Sequence, residues 1–114
     1  MHELLKFYRD EGPELVGVVM QDGAIVEVEN RSPEPNDSCV IDPAFLAEND
    51  DKMKATFHTH PGKNANLSGE DYQAFSNWPD LLHYIIGSDG LRCYEVLPNG
   101  AIAERDQDRT PRTA

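Results

Sequence analysis

His58 and His60 stand one residue apart, and Ser68 and Asp71 follow in the same short stretch, FHTHPGKNANLSGEDY at 57–72. In an extended strand, side chains two apart point to the same face. The two imidazoles are therefore expected side by side, with Thr59 turned away. Asp71 is near enough in sequence to join them from one turn into the next helix, provided the PGKNANL loop folds that turn back over the strand end. Two neutral nitrogens and one carboxylate at about 2.0–2.2 Å form a zinc ligand set with the fourth position open. Open zinc sites are more often catalytic than structural, because structural sites close with four protein ligands.

Each part has a plainer reading. A His-x-His pair alone is a weak signal. Ser68 with an acid three residues later resembles a helix-capping box. A cap would fix the helix end and so aim Asp71, which makes the two readings compatible. His2 and His83 lack ligand spacing and read as an exposed terminal residue and a strand residue. A cupin would want a glutamate a few residues after the pair, and PGKNANL offers none. A (β/α)₈ barrel would need about 250 residues, against the 114 present.

Taken together, HTHPGKNANLSGED resembles the signature of the JAMM metalloproteases of the JAB/MPN fold, His-x-His-Pro-x6-Ser-x2-Asp, at His58, His60, Pro61, Ser68 and Asp71. That family also carries an upstream glutamate three residues before a glycine that opens an apolar strand. PELVGVVM supplies Glu14 and Gly17, and IDPAFL resembles the family's segment before its central helix. The resemblance spans roughly residues 2–104. It implies a cytidine-deaminase-like mixed sheet flanked by about three helices. It also implies one Zn²⁺ per chain on His58, His60 and Asp71, and catalytic roles for Glu14, as proton carrier, and Ser68, as hydrogen-bond donor to the oxyanion or the water. The implied reaction is zinc-dependent hydrolysis of a peptide or isopeptide bond. The substrate would be a protein or peptide, such as a ubiquitin-like protein or a phage tail component, because short members resemble bacterial and phage proteins. The short loops RSPEPND and GKNANL leave little room for the insertions with which larger relatives grip ubiquitin. The alternative is a zinc-containing assembly or scaffold module of the same fold.

The elements that must position these residues can be read from pattern. Leu4, Leu5, Phe7 and Tyr8 form a helical stripe closed by Gly12-Pro13. ELVGVVM and AIVEVEN read as strands joined by a tight Asp22-Gly23 turn. RSPEPND reads as loop and SCVI as a short strand. Asp42 followed by Pro43 starts a helix to about Asp51. KATFHTH is a strand that Pro61 ends. Ser68 opens a helix with Tyr72, Phe75 and Trp78 on its core face, stopped by Pro79. LLHYIIG, LRCYEVL and AIAE are three more strands, with turns at SDG and PNG. The sum is one α+β domain over 1–105 and a flexible tail over 106–114.

Ten basic and 21 acidic residues give a formal net charge of −11. Such a surface repels phosphate backbones, which disfavours nucleic acid as a partner. The chain lacks an apolar run of about 18 residues, so no membrane span is expected. The start, MHELLKFYRDEG, lacks the basic and apolar regions of a signal peptide, and a cytoplasmic setting is expected. Cys39 and Cys93 form no Cys-x-x-Cys pair and are expected as free thiols.

Overall fold

Strand β3, Met53–Thr59, is central to the order of everything else. The computed structural model describes residues 1–111. On one side of β3 lies β1 (Val16–Met20), antiparallel, and on the other lies β4 (Leu82–Gly87), parallel. β1 returns through Asp22-Gly23 into β2 (Ile25–Val28), with Gly23 at φ 93°. β4 turns into β5 (Gly90–Val96), which pairs with β6 (Ile102–Glu104) and with a two-residue β7 (Thr110–Pro111). The path across the sheet is β2-β1-β3-β4-β5-β6. Helices α1 (Pro43–Asn49) and α2 (Gly69–Ser76) and three short 3₁₀ turns complete the chain. This is the mixed α+β architecture that the hydrophobic pattern indicates.

The period of two in β3 divides the core. Ala55 and Phe57 face a cluster with Val19, Tyr84, Ile86 and Leu91, covered by the N-terminal turn through Leu4. Thr56 and His58 point to the opposite face. There α1 packs Leu46 on Val18, Met53 and Leu81, and α2 packs Phe75 on Ile85 and Tyr94. Because β3 and β4 are parallel, their connection must cross over the sheet, and α2 is that crossover. The chain therefore leaves the C-terminal end of β3, turns, and starts α2 above the same end. This topology brings Ser68 and Asp71 back to the two histidines.

Several local expectations are corrected. The N-terminal stripe is a 3₁₀ helix over His2–Phe7, ending well before Gly12. SCVI forms no strand: the Val40 carbonyl accepts from the Arg31 amide, but the Val40 amide donates to the Asn30 side chain, which interrupts any ladder. β3 ends at Thr59, one residue before His60. Tyr72 is 43% exposed rather than core. Asp71 and Phe75, four residues apart, take the inward face of α2, and the Tyr72 hydroxyl donates to the Gly100 carbonyl instead. Trp78 is half-buried beside α1. The tail is not loose over 106–111. β6 covers only Tyr94–Val96 of β5, so Thr110 and Pro111 pair with the edge left open at Leu91 and Gly90. Residues 112–114 of that expected tail lie outside the described residues. Both cysteines are free thiols, as expected.

Candidate metal centre

The antiparallel register between β1 and β3 pairs Val16 with His58. Carried two residues outward, it sets Glu14 opposite His60. The extension is held by two bonds: the Thr59 amide donates to the Leu15 carbonyl, and the Leu15 amide donates to Thr59 Oγ1, each at 2.9 Å. Alternation then aims Glu14, Val16 and His58 at the same side of the sheet.

His60 stays registered beyond the strand because its amide donates to the Ile86 carbonyl at 2.8 Å. The chain turns at Gly62, whose φ of 70° is the left-handed conformation that glycine adopts at no steric cost. Next, the loop is tied down onto the β4–β5 turn. Ser88 donates its amide to the Lys63 carbonyl at 2.7 Å, Ala65 donates to Asp89 at 2.8 Å, and the Tyr94 hydroxyl donates to the Ala65 carbonyl at 2.8 Å. Ser68 caps α2, and the capping box is complete. Ser68 Oγ accepts from the Asp71 amide and Asp71 Oδ2 accepts from the Ser68 amide, each at 3.1 Å.

That box aims the Asp71 carboxylate at both imidazoles. His58 Nε2 lies 3.0 Å from Oδ1, His60 Nε2 lies 3.2 Å from Oδ2, and the two Nε2 atoms are 3.2 Å apart. Ligands held at about 2.0–2.2 Å around a tetrahedral ion lie about 3.3–3.6 Å from one another, so the cluster is a few tenths of an ångström tighter than a small divalent metal requires. His60 Nδ1 faces the Asn64 carbonyl at 3.0 Å and must donate to it. That bond fixes the tautomer whose Nε2 lone pair points inward. Lone pairs from three side chains thus converge, an arrangement that needs protons or a cation between them. Glu14 stands slightly further off, with ligand atoms of Glu14, His58 and His60 all within 4.8 Å of one another.

The electrostatics differ between the two acids. Burial pushes the Asp71 carboxyl up, but hydrogen bonds from His58, His60 and the Ser68 amide outweigh it and hold the group well below the usual carboxylate range. Burial dominates at Glu14 and raises it, against the lowering pull of His58 and His60. Of the two carboxyls, Asp71 is thus the more strongly held in its ionised form and Glu14 the more basic.

Three contributors were not foreseen from sequence. Asn64 acts through its carbonyl, which leaves no side-chain signature. Cys39 lines the same cavity as Glu14 and its thiol bonds the Glu14 carboxylate. Burial pushes that thiol far up, so it remains a donor. Asn30 ties the loop to the site. Its Nδ2 donates to the carbonyls of Glu14 and Ser38 at 3.0 Å each, and its Oδ1 accepts from Ser32 and Val40 at 3.0 and 3.1 Å. Only the Asn-Arg-Ser context, which suits a local Asx turn, hinted at part of this. His83 binds no ligand set. It is buried, bonded to Thr56 Oγ1 at 2.7 Å and to the Trp78 carbonyl at 3.1 Å, and burial lowers it to about 4. His2 is exposed.

Gly87 offers a test of the loop. A Cβ there would meet the Ala65 nitrogen and the Asn64 carbonyl carbon at 2.4 Å and the Lys63 oxygen at 2.7 Å, all backbone atoms. Gly87→Ala is expected to cost about 1–3 kcal/mol as overpacking. By moving the Asn64 carbonyl off His60, it should also weaken zinc by about 10–100-fold, as outer-shell losses do. Thermal unfolding and a zinc titration on the same sample check both figures.

No family model matches the sequence, and no curated protein matches it. Among solved structures, the solution structure of protein DSY2949 from Desulfitobacterium hafniense is similar, with a TM-score of 0.65 and 23% identity over 90% of this chain and 83% of that one. At that identity the likeness concerns the fold. No helix among the described residues is long and apolar enough to cross a membrane.

Proposed function

We propose that this chain is a zinc-dependent hydrolase of peptide or isopeptide bonds, of the JAMM type. The observation that supports it is the convergence of His58, His60 and Asp71 within 3.2 Å of one another, with Glu14 beside them on the wall of a cavity. His58, His60 and Asp71 would hold the ion. When bound, zinc supplies Lewis acidity and lowers the pKa of water from 15.7 to about 7.

The chain's own groups do the rest. A Glu14 carboxylate oxygen accepts a proton from the attacking water and returns it to the leaving amine. Burial prepares Glu14 for this by raising its basicity. Ser68 Oγ uses a lone pair on the Asp71 amide, so its hydroxyl proton is free to donate to the developing oxyanion. Asn64 and the capping box hold His60 and Asp71 in place, and Asn30 holds the Glu14 backbone. The proposed substrate is a protein or peptide, in a phage tail or as a ubiquitin-like protein, in a cytoplasmic setting.

The deciding experiment loads the full chain with zinc, incubates it with a proteome-derived peptide library, and maps new termini by mass spectrometry. His58→Ala, verified metal-free, serves as the comparison. Zinc-dependent cleavage that His58→Ala lacks supports the reading, and equal cleavage by the metal-free variant rejects it.

A further inference from the structure

The cavity that holds Glu14, His58, His60 and Asp71 does not end at them. It measures about 580 Å³ and runs on between α1 and α2. Its floor there is Thr56 and His83, and its far wall is Ile41, Leu46, Phe75 and Trp78. The near end is polar, whereas the far end is mostly apolar, with Asn77 at the end of α2 as its polar member. The floor residues are polar by type but already satisfied. With His83 Nε2 donating to the Trp78 carbonyl, its Nδ1 must accept from the Thr56 hydroxyl, so neither ring nitrogen nor the hydroxyl proton is left for an occupant. The ring of Phe75 stacks on His83 at 4.1 Å and closes the apolar surface between floor and wall. Leu46 and Trp78 belong to the cluster under α1, so the wall is part of the packed core and is preformed.

We infer that this hollow is a side-chain pocket, and that the substrate carries a bulky apolar residue, of leucine or phenylalanine size, next to the scissile amide. The inference rests on the hydrolase reading for where that amide lies. Continuity fixes the occupant: a peptide whose carbonyl reaches the histidines directs a neighbouring side chain between the helices. Glycine there would leave the cavity unfilled. Exposed Asp37 and Glu70 line the entrance with a single Lys63, which turns acidic side chains away. Full burial of one such apolar side chain corresponds to about a ten- to hundredfold gain in affinity.

Amino-acid hydroxamates test the pocket without turnover, because the hydroxamate seeks the metal and the side chain seeks the hollow. The glycine, leucine, phenylalanine and aspartate hydroxamates are titrated calorimetrically into the zinc-loaded full chain. Leucine and phenylalanine should bind about ten- to hundredfold tighter than glycine, and aspartate no better than glycine. Ala74 lies exposed on α2 and lines the cavity, so Ala74→Phe fills the space from the surface with little strain on the fold. In that variant the leucine-to-glycine ratio should fall to near one. Equal affinities across the series, absence of binding, or a ratio that survives Ala74→Phe overturns the pocket. The peptide library separates the two claims. Zinc-dependent cleavage with no apolar preference rejects the pocket and keeps the hydrolase. Absence of cleavage with the ratio intact rejects the hydrolase, and with it the scissile amide, and supports the hollow only as an apolar side-chain pocket beside the metal.

Discussion

Glu14→Gln is expected to keep zinc bound and to lower hydrolysis by about 10²–10⁴-fold, the usual contribution of a positioned proton carrier. The backbone of Glu14 is held independently of its carboxylate. Its amide donates to the Pro35 carbonyl at 2.7 Å and its carbonyl accepts from Asn30. Glutamine has the same shape, and its carbonyl oxygen can still accept from the Cys39 thiol. What it lacks is a site for a proton. The carboxylate pays for its burial, whereas a neutral amide is cheaper to bury, so the variant should melt at the same temperature or slightly higher. Zinc content measured on the same sample as the rate separates this outcome from simple loss of metal. Undiminished turnover by a fully loaded Glu14→Gln protein would remove Glu14 from the mechanism.

The different residues were legible to different degrees, for physical reasons. His58 and His60 share a face because a strand repeats every two residues, and that follows from the sequence alone. Ser68 and Asp71 advertise a helix start, and the parallel β3–β4 pairing then returns that start to the histidines. Asn30 was not legible, because its four short bonds reach backbone groups as far away as Glu14, and composition says only that a loop lies there. The same contacts explain the missing strand at 38–41, where an amide side chain satisfies Val40 in place of a ladder. The spacing of the aromatics points Tyr72 inward, whereas in the structure Asp71 takes the inward face with Phe75. The ordering of 106–111 depends on an open stretch of β5 edge, which no local pattern in the tail reveals.

Asp71→Asn should weaken zinc binding by more than the 10–100-fold that the loss of an outer-shell partner costs, while leaving the metal-free fold almost as stable. The reason lies in the two jobs of one carboxylate. Oδ2 accepts the Ser68 amide and faces His60, and Oδ1 faces His58. An asparagine has one acceptor oxygen. Turned to keep the cap, it points its NH₂ group at His58, where a lone pair is needed. Turned the other way, it brings NH₂ against the Ser68 amide and loses the reciprocal bond of the box. A lost hydrogen bond costs about 0.5–1.5 kcal/mol, so the first orientation prevails and the metal is sacrificed. Ser68→Ala should show the reverse emphasis, with a loss of about 0.5–2 kcal/mol in the metal-free protein and a smaller drop in zinc affinity. Thermal unfolding with and without zinc reads both, because a ligand that binds only the folded state raises the midpoint with the logarithm of its concentration over Kd. The wild-type midpoint should climb on adding zinc and that of Asp71→Asn should stay nearly fixed. A zinc-induced rise of equal size in both proteins would mean that Asp71 serves the helix and not the ion.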